Sequence, residues 1–260
     1  MQALLFFIIC IISTTIGAIS GIGGGVIIKP VFDSFSGLDA TVISFLSGCT
    51  VLSMSIFSLL GTKNLEVKVE AKRGTLLAGG SVVGGVFGKY VFDLVRNSTE
   101  NLSMISTVQN YILLFLTVGV FFYMLKKEKI KTYDIHNPVL CIMIGIFLGT
   151  TGAFLGIGGG PINLIVLYYF FSMDAKLAAL TSIYIIFFSQ VASLISVIIS
   201  GIPQFEIPSL IVMIIGGIGG GIIGRKIAKK LSVKATEKLF TIVLFIISII
   251  CIIKKFKQVI

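Results

Sequence analysis

The sequence Gly17-Ala18-Ile19-Ser20-Gly21-Ile22-Gly23-Gly24-Gly25 interrupts a long apolar run, and it recurs 135 residues later. The second copy reads Gly152-Ala153-Phe154-Leu155-Gly156-Ile157-Gly158-Gly159-Gly160. We call these two stretches the first and the second glycine break. Matches at an offset of 135 or 136 continue beyond them: Asp39 with Asp174, Ser47 with Ser182, and Gly80, Gly84 and Gly88 with Gly216, Gly220 and Gly224. The chain is therefore a tandem duplication, and we expect its repeats to be residues 1–131 and 132–260.

The composition of the chain is that of a membrane protein. Hydrophobic residues make up 56% of the sequence and charged residues 12%, whereas soluble domains carry about 25% charged residues. The net charge of +10 does not indicate a nucleic-acid partner, because Lys and Arg lie in loops beside apolar segments. In such loops they orient a membrane protein and meet anionic lipid headgroups. The sequence predicts an all-α, multi-pass protein of the plasma or inner cell membrane.

Six apolar stretches have the length of about 20 residues that one helical crossing needs. They are residues 41–61, 74–92, 108–125, 177–200, 207–224 and 239–253. The two stretches that contain the glycine breaks, 3–35 and 138–171, are each longer than thirty residues. They are too long for one straight crossing and too short for two crossings and a turn. We expect each of them to break or fold back inside the membrane.

The distribution of Lys and Arg distinguishes two topologies. If each long stretch crosses once, the basic residues divide almost equally between the two faces. If each long stretch enters and leaves on the same face, 15 of the 21 basic residues share one face, in loops 62–73, 126–137, 172–176 and 225–238. The second topology obeys the positive-inside rule, although the C-terminal lysines end on the other face. It predicts two inverted repeats, each with a glycine-broken re-entrant segment and three spanning helices.

The glycine breaks predict an anion site near the bilayer midplane. Irregular backbone at that depth occurs only where it is buried in protein or lines a polar cavity. A short helix that begins just after a break has first-turn N–H groups without intrahelical partners, and these attract anions. Two such helix starts, converging from inverted halves, would bind one anion. The spacing of Gly80, Gly84 and Gly88 and of their equivalents instead predicts close helix packing.

We expect the cargo to contact both breaks and the few polar side chains near them. In the first half these residues are Gly21, Gly23, Gly24, Gly25, Lys29 and Ser47. In the second half they are Gly156, Gly158, Gly159, Gly160, Asn163, Thr181, Ser182 and Gln190. Lys29 would balance the charge of an anion or extend to the membrane interface, and both alternatives stay open. No acidic residue lies deep in an ordinary span, so proton coupling, sodium coupling and facilitated diffusion all remain open.

The paired glycine breaks, Pro30 after the first break and the stretch Leu180-Thr181-Ser182 resemble the TauE/SafE family of sulfite exporters. The resemblance covers nearly the whole chain. It implies a permease for a small sulfur-containing anion such as sulfite, thiosulfate or sulfoacetate. Two departures affect the shape of the site: Pro30 has Ile165 as its counterpart, and Leu46-Ser47-Gly48 stands where the second half has Thr181-Ser182-Ile183.

We expect a permease that works by alternating access, and an intramembrane enzyme and a membrane scaffold are its two alternatives. An intramembrane serine protease needs a facing Ser and His, but the single histidine, His136, lies in a basic loop. A membrane scaffold without transport activity would tolerate mutation of both breaks. The cysteines lack the spacing of a disulfide framework or a zinc site. We therefore expect no catalytic residue, metal or cofactor, and the sequence leaves a homodimer open.

Overall fold

The computed structural model describes residues 2–62, 69–98 and 102–259. Within these ranges the protein consists of ten α-helices and a short 3-10 turn at Lys127–Lys129. The helices are α1 (Gln2–Ser20), α2 (Gly25–Phe35), α3 (Ala40–Leu60), α4 (Ala71–Asn97), α5 (Leu102–Lys126), α6 (Pro138–Leu155), α7 (Gly160–Phe171), α8 (Ala175–Ser200), α9 (Ile207–Lys230) and α10 (Val233–Val259). By length and composition eight of these helices can cross a membrane, and α2 and α7 are the two shorter ones. The predicted all-α, multi-pass fold is confirmed.

The six ordinary spans predicted from the sequence correspond to α3, α4, α5, α8, α9 and α10. Several helices are longer than the apolar stretch that indicated them. The clearest case is α4, which continues past Phe92 to Asn97. This extension places Asp93 and Arg96 on a helix, although both lie beyond the predicted span 74–92.

Each glycine break reverses the direction of the chain. The rings of Phe6 on α1 and Phe32 on α2 lie 4.5 Å apart, which requires α2 to return along α1. A Cβ atom on Gly24 would lie 3.0 Å from the Cα atom of Thr14, so the return begins beside the middle of α1. We call α1 and α2 the first hairpin. The expectation that this long stretch folds back is confirmed.

The second hairpin consists of α6 and α7 and is built in the same way. A Cβ atom on Gly152 would lie 2.6 Å from the amide nitrogen of Gly159, so the break packs back on the end of α6. The amide of Tyr133, just before α6, donates to the carbonyl oxygen of Tyr169 near the end of α7 at 2.7 Å. The start of α6 and the end of α7 therefore lie at the same face of the protein.

The regularly spaced glycines pack each hairpin against a helix of the other half. On α4 a Cβ atom at Gly80, Gly84 or Gly88 would clash with a backbone carbonyl of α6. The oxygens concerned belong to Ile142, Ile146 and Thr150. On α9, Gly216, Gly220 and Gly224 pack in the same way on Phe7, Ile11 and Thr15 of α1. The duplication makes these three residues of α1 the equivalents of Ile142, Ile146 and Thr150 on α6. The packing role predicted for these glycines is confirmed.

Helix directions follow from the same contacts. In each of these contacts the residue numbers of both helices increase in the same direction. Helix α1 therefore runs parallel to α9, and α4 runs parallel to α6. On α3 the glycines of α9 meet first Thr50 and then Met54, so α3 also runs parallel to α9. Helix α8 runs parallel to α4, because Ser81 bonds Ile185 and Gly85 packs on Ser189. The equivalent helices α1 and α6 belong to these two different sets, and this arrangement is compatible with inverted repeats.

The helix directions define two faces of the protein. The loops at 127–137, 172–174 and 231–232 lie on one face, which we call the basic face. The loops at 36–39 and 201–206 lie on the other side of the protein, which we call the opposite face. Each hairpin enters and leaves on the same face, as the charge distribution favoured. Part of the basic loop 62–73, including Lys63 and Lys68, lies outside the described residues.

Candidate functional site

The two glycine breaks meet at the centre of the protein. A Cβ atom on Gly25 would lie 2.8 Å from the carbonyl oxygen of Ile157, and one on Gly160 would lie 3.1 Å from that of Ile22. These two contacts are equivalent under the duplication. Both breaks also meet Val51 and Ile186, which lie near the middle of α3 and α8. The breaks are therefore neither at the lipid-facing periphery nor far apart.

The backbone of the breaks takes conformations that favour glycine. Gly23, Gly158 and Gly159 have φ angles of +79°, +80° and +98°, in the region that side chains with a Cβ atom rarely adopt. Helices α2 and α7 begin immediately afterwards, at Gly25 and Gly160. The first N–H groups of a helix lack intrahelical partners and carry partial positive charge. In α2 the amide of Ile27 already donates to the carbonyl oxygen of Gly24 at 3.1 Å, and in α7 Pro161 has no N–H. The two helix starts thus converge where the breaks touch, as the sequence predicted.

A chain of side chains links α7, α8 and the first break. A Cβ atom on Gly159 would lie 2.6 Å from Oδ1 of Asn163, so the amide side chain covers the start of its own helix. Nδ2 of Asn163 donates to Oγ of Ser182 at 3.4 Å. Ser182 in turn donates to the carbonyl oxygen of Gly21 at 2.6 Å. Three residues expected in the site are therefore joined by hydrogen bonds.

Several buried polar atoms around the breaks have no hydrogen-bond partner among the described residues. They are Oγ of Ser47, Oγ1 of Thr181, Oδ1 of Asn163 and Oγ of Ser189. Their side chains are at most 2% exposed. A buried polar group without a partner costs about 1–3 kcal/mol, so such groups are uncommon unless a ligand or water pairs with them. They lie on α3, α7 and α8, the helices around the breaks, where a ligand or water would satisfy them.

Lys29 places an ammonium group beside the end of α6. The residue is 2% exposed, and its Nζ donates to Oγ of Ser44 at 3.0 Å and to Oε1 of Gln109 at 2.6 Å. It also donates to the carbonyl oxygen of Leu155, the last residue of α6, at 2.8 Å. The negative end of a helix dipole favours a cation there. The alternative in which Lys29 extends to the membrane interface is wrong.

A cavity of about 460 Å³ opens toward the opposite face. The first turns of α3 and the last turns of α4 and α8 form its walls. Its inner end reaches Gly156 and Gln190, and Arg96 lies near its mouth. Lys89 also lines it and pairs with Asp93 at 2.7 Å. The cavity therefore connects one side of the membrane with the edge of the second break.

The cavity contains only part of the site expected from the sequence. Gly156 and Gln190 line it, and a Cβ atom on Gly158 would lie 3.3 Å from Nε2 of Gln190. The other glycines of the breaks and Lys29, Ser47, Asn163, Thr181 and Ser182 are buried behind its wall. Sequence reasoning missed Ser44 and Gln109. A glutamine inside an apolar helix such as α5 was the available signal for the second of these.

His136 belongs to a polar cluster on the basic face. Nη1 of Arg73 donates to Oδ1 of Asp134 at 2.7 Å, and Nε2 of His136 lies 3.1 Å from Oδ2 of the same carboxylate. The hydrogen bond with His136, assisted by Arg73, lowers the pKa of Asp134 below its ordinary value. The cluster ties the start of α4 to the loop before α6. Within the described ranges no group of three or more His, Cys, Asp or Glu could hold a metal ion.

Comparison with known proteins gives a consistent result. The family model described as "Sulfite exporter TauE/SafE" matches residues 5–250. A Bacillus subtilis (strain 168) protein named "Probable membrane transporter protein YunE" is 26% identical over 272 residues, and the match covers 95% of this chain and 96% of that protein. No solved structure matches the chain.

Proposed function

The chain belongs to the TauE/SafE sulfite exporter family, and on this basis we propose that it carries a small sulfur-containing oxyanion or sulfonate. The family, the relative named as a membrane transporter and the eight helices long enough to span a bilayer make the protein a multi-pass membrane transporter. Sulfite, thiosulfate and sulfoacetate are the proposed cargoes. Each is small and carries oxygen atoms that accept several hydrogen bonds.

The observation that supports an anionic cargo most strongly is the meeting of two helix starts. Gly25 and Gly160 open α2 and α7, and each packs against the backbone of the other break. Backbone amides at a helix start bind anions without a full protein charge. The proposed site lies where the two sets of amides converge. The missing side chains let the oxygens of a small anion approach the backbone closely.

Side chains near the breaks add donors and one positive charge to this proposed site. The hydroxyls of Ser47, Thr181 and Ser189 are buried without a partner among the described residues, and each could donate to an oxyanion. The ammonium of Lys29 is held 3.0 Å from Ser44, and Ser44 lines the cavity. A buried ammonium favours an anion over a neutral solute of the same size. This set therefore favours small, charged oxyanions.

The cavity is the proposed route from the opposite face to the breaks. The walls carry Lys89, Arg96 and one carboxylate, Asp93, which pairs with Lys89. The net positive charge that remains concentrates anions. Toward the basic face Gly21 is buried and packs on Ala179, and we propose that the path is closed there in this state. Transport then requires the two halves to rearrange so that the site opens toward the basic face. We propose alternating access of this kind, with either proton, sodium or no coupling and with either a monomer or a homodimer.

Flux measured in proteoliposomes tests the proposed cargo. Purified protein should take up radiolabelled sulfite, and an excess of unlabelled thiosulfate or sulfoacetate should compete with it. Choline, a cation of similar size, should not compete. The proposal fails if protein that elutes as a single species in detergent gives no more uptake of all three anions than empty liposomes.

A further inference from the structure

One hydrogen bond between the halves is made at Ser182 and is missing, within the described residues, at the equivalent Ser47. In the second half Ser182 donates to the carbonyl oxygen of Gly21 at 2.6 Å. The duplication makes Ser47 the equivalent of Ser182 and Gly156 the equivalent of Gly21. Gly21 and Gly156 adopt similar backbone angles, with φ of +78° and +65°. Yet Oγ of Ser47 is fully buried without a partner in the part of the chain that the structure describes.

This difference coincides with the position of the cavity. Gly156 is half-buried and lines the cavity, together with Ser44 one turn before Ser47. Gly21 is buried and packs on Ala179, the residue equivalent to Ser44. The equivalent contact of Gly156 with Ser44 is almost as close, so the halves differ in the exposure of the glycine rather than in this contact. The glycine that accepts the serine bond is therefore buried, and the glycine without that bond borders the cavity.

We propose that these two serine–glycine pairs are the gates of the transport path. In the state seen here the bond from Ser182 to Gly21 closes the path to the basic face. When the path to the opposite face closes, Ser47 donates to Gly156 and the bond from Ser182 to Gly21 breaks. The inference rests on the proposed function only in taking the cavity as part of the transport path. It assigns Ser47 and Ser182 a role in addition to any contact with the cargo.

Each gate bond should shift the balance between the two states measurably. A hydrogen bond in a folded protein contributes enough to change an equilibrium about two- to tenfold. Removing the hydroxyl of Ser182 weakens only the state seen here, and removing that of Ser47 weakens only the alternative state. The two substitutions should therefore have opposite effects. A merely structural role for either serine would not produce this opposition.

Two reporter cysteines can measure the balance. Ser193 lines the cavity, and its equivalent Ser58 is 1% exposed. We would place Ser193→Cys or Ser58→Cys in a chain whose four native cysteines are changed to alanine. The rate of labelling by N-ethylmaleimide is measured in nanodiscs without cargo. Because no anion is added, the result does not depend on whether sulfite or its relatives are transported.

The labelling rate of Ser58→Cys should respond in opposite ways to the two serine substitutions. Ser182→Ala raises the labelling rate of Ser58→Cys about two- to tenfold, because the alternative state is more populated. Ser47→Ala lowers that rate by a similar factor, and the double variant returns it toward the parent value. The labelling rate of Ser193→Cys should change in the opposite direction to that of Ser58→Cys, and elution as a single species in detergent shows in each case that the protein is folded. The proposal is overturned if both single variants shift the rate of Ser58→Cys in the same direction or if neither shifts it.

If Ser182→Ala does not fold, Ser47→Ala alone decides the outcome. It removes a hydroxyl without a partner among the described residues, so it should fold in the state seen here. A labelling rate of Ser58→Cys equal to that of the parent would then contradict the exchange of gate bonds.

Discussion

Lys29 shows how one residue serves both the fold and the proposed site. Its ammonium group binds the last carbonyl of α6 and the side chain of Gln109, so it holds the first half against the second hairpin. The same group lies next to Ser44 and the edge of the cavity. Its buried position was not predictable from the sequence, because it depends on a carbonyl oxygen 126 residues away and a glutamine 80 residues away.

The charge of Lys29 should be needed for anion transport. We expect Lys29→Met to raise the KM for sulfite uptake about tenfold or more, because the variant loses the buried positive charge beside the proposed site. A loss of about 1.4 kcal/mol of attraction corresponds to tenfold. Lys226→Met removes the same charge from an exposed position on α9 and should leave uptake unchanged. Equal KM values for the two variants in proteoliposomes would exclude Lys29 from the site.

Close approach of the two breaks depends on the absence of a methyl group at Gly25. Gly25→Ala would place a carbon 2.8 Å from the carbonyl oxygen of Ile157. The breaks would have to separate, and overpacking of this kind costs about 1–3 kcal/mol. We expect sulfite flux to fall at least tenfold while the protein still inserts into the membrane.

The matched control for this substitution is Gly119→Ala. Gly119 lies within α5, and a Cβ atom there would meet nothing within 4 Å. Flux in this variant should equal that of the parent protein. Should Gly25→Ala retain full flux as well, the contact between the breaks is not needed for transport.

At the scale of elements, the reversal of the chain at each break was predictable and its geometry was not. Length alone excluded a single straight crossing for residues 3–35 and 138–171. The first limb of each hairpin, α1 or α6, proved long enough to cross by itself, and only α2 and α7 are short. The length of such a stretch does not show where its first helix ends and its second begins. The position of the first helix depends on its packing against α9 or α4, which lie in the other half.

The glycines of α4 offer a sharp test of helix packing. Gly80→Ala would drive a methyl group into the backbone of α6, whereas a Cβ atom on the adjacent Gly79 meets nothing within 4 Å. We expect Gly80→Ala to lower the thermal unfolding midpoint of the detergent-purified protein. Gly79→Ala should keep or raise the midpoint, since alanine favours a helix over glycine by about 0.5–1 kcal/mol. Equal midpoints would contradict the tight contact between α4 and α6.

At the scale of the whole molecule, the duplication accounts for both the central contact and the cross-packing of the halves. Gly25 meets Ile157 and Gly160 meets Ile22 because the two halves pack around a shared centre. The pairing of the breaks was predictable from their equivalence. The cavity was not predictable, because it forms between the start of α3 and the ends of α4 and α8. These segments are far apart in the sequence, and no motif in them indicates that they meet. The extension of α4 to Asn97 added Asp93 and Arg96 to its wall.

Inverted repeats place equivalent loops on opposite faces of the membrane. Single cysteines at Ser36 and Ser172, in the loops that follow α2 and α7, should therefore react with a membrane-impermeant maleimide from opposite sides. Ser36→Cys should react from the outside of intact cells. Ser172→Cys should react only after the membrane is opened. Labelling of both cysteines from the same side would contradict the inversion.

The most direct test of the central claim is to locate the anion itself. Selenite has the shape and charge of sulfite, and its selenium atom gives an anomalous signal in crystals of the protein. We expect one anomalous peak between the starts of α2 and α7, within hydrogen-bond reach of the backbone amides of Gly25 and Gly160. Peaks found only at surface lysines, under conditions in which selenite competes for sulfite uptake, would contradict an anion site formed by the two glycine breaks.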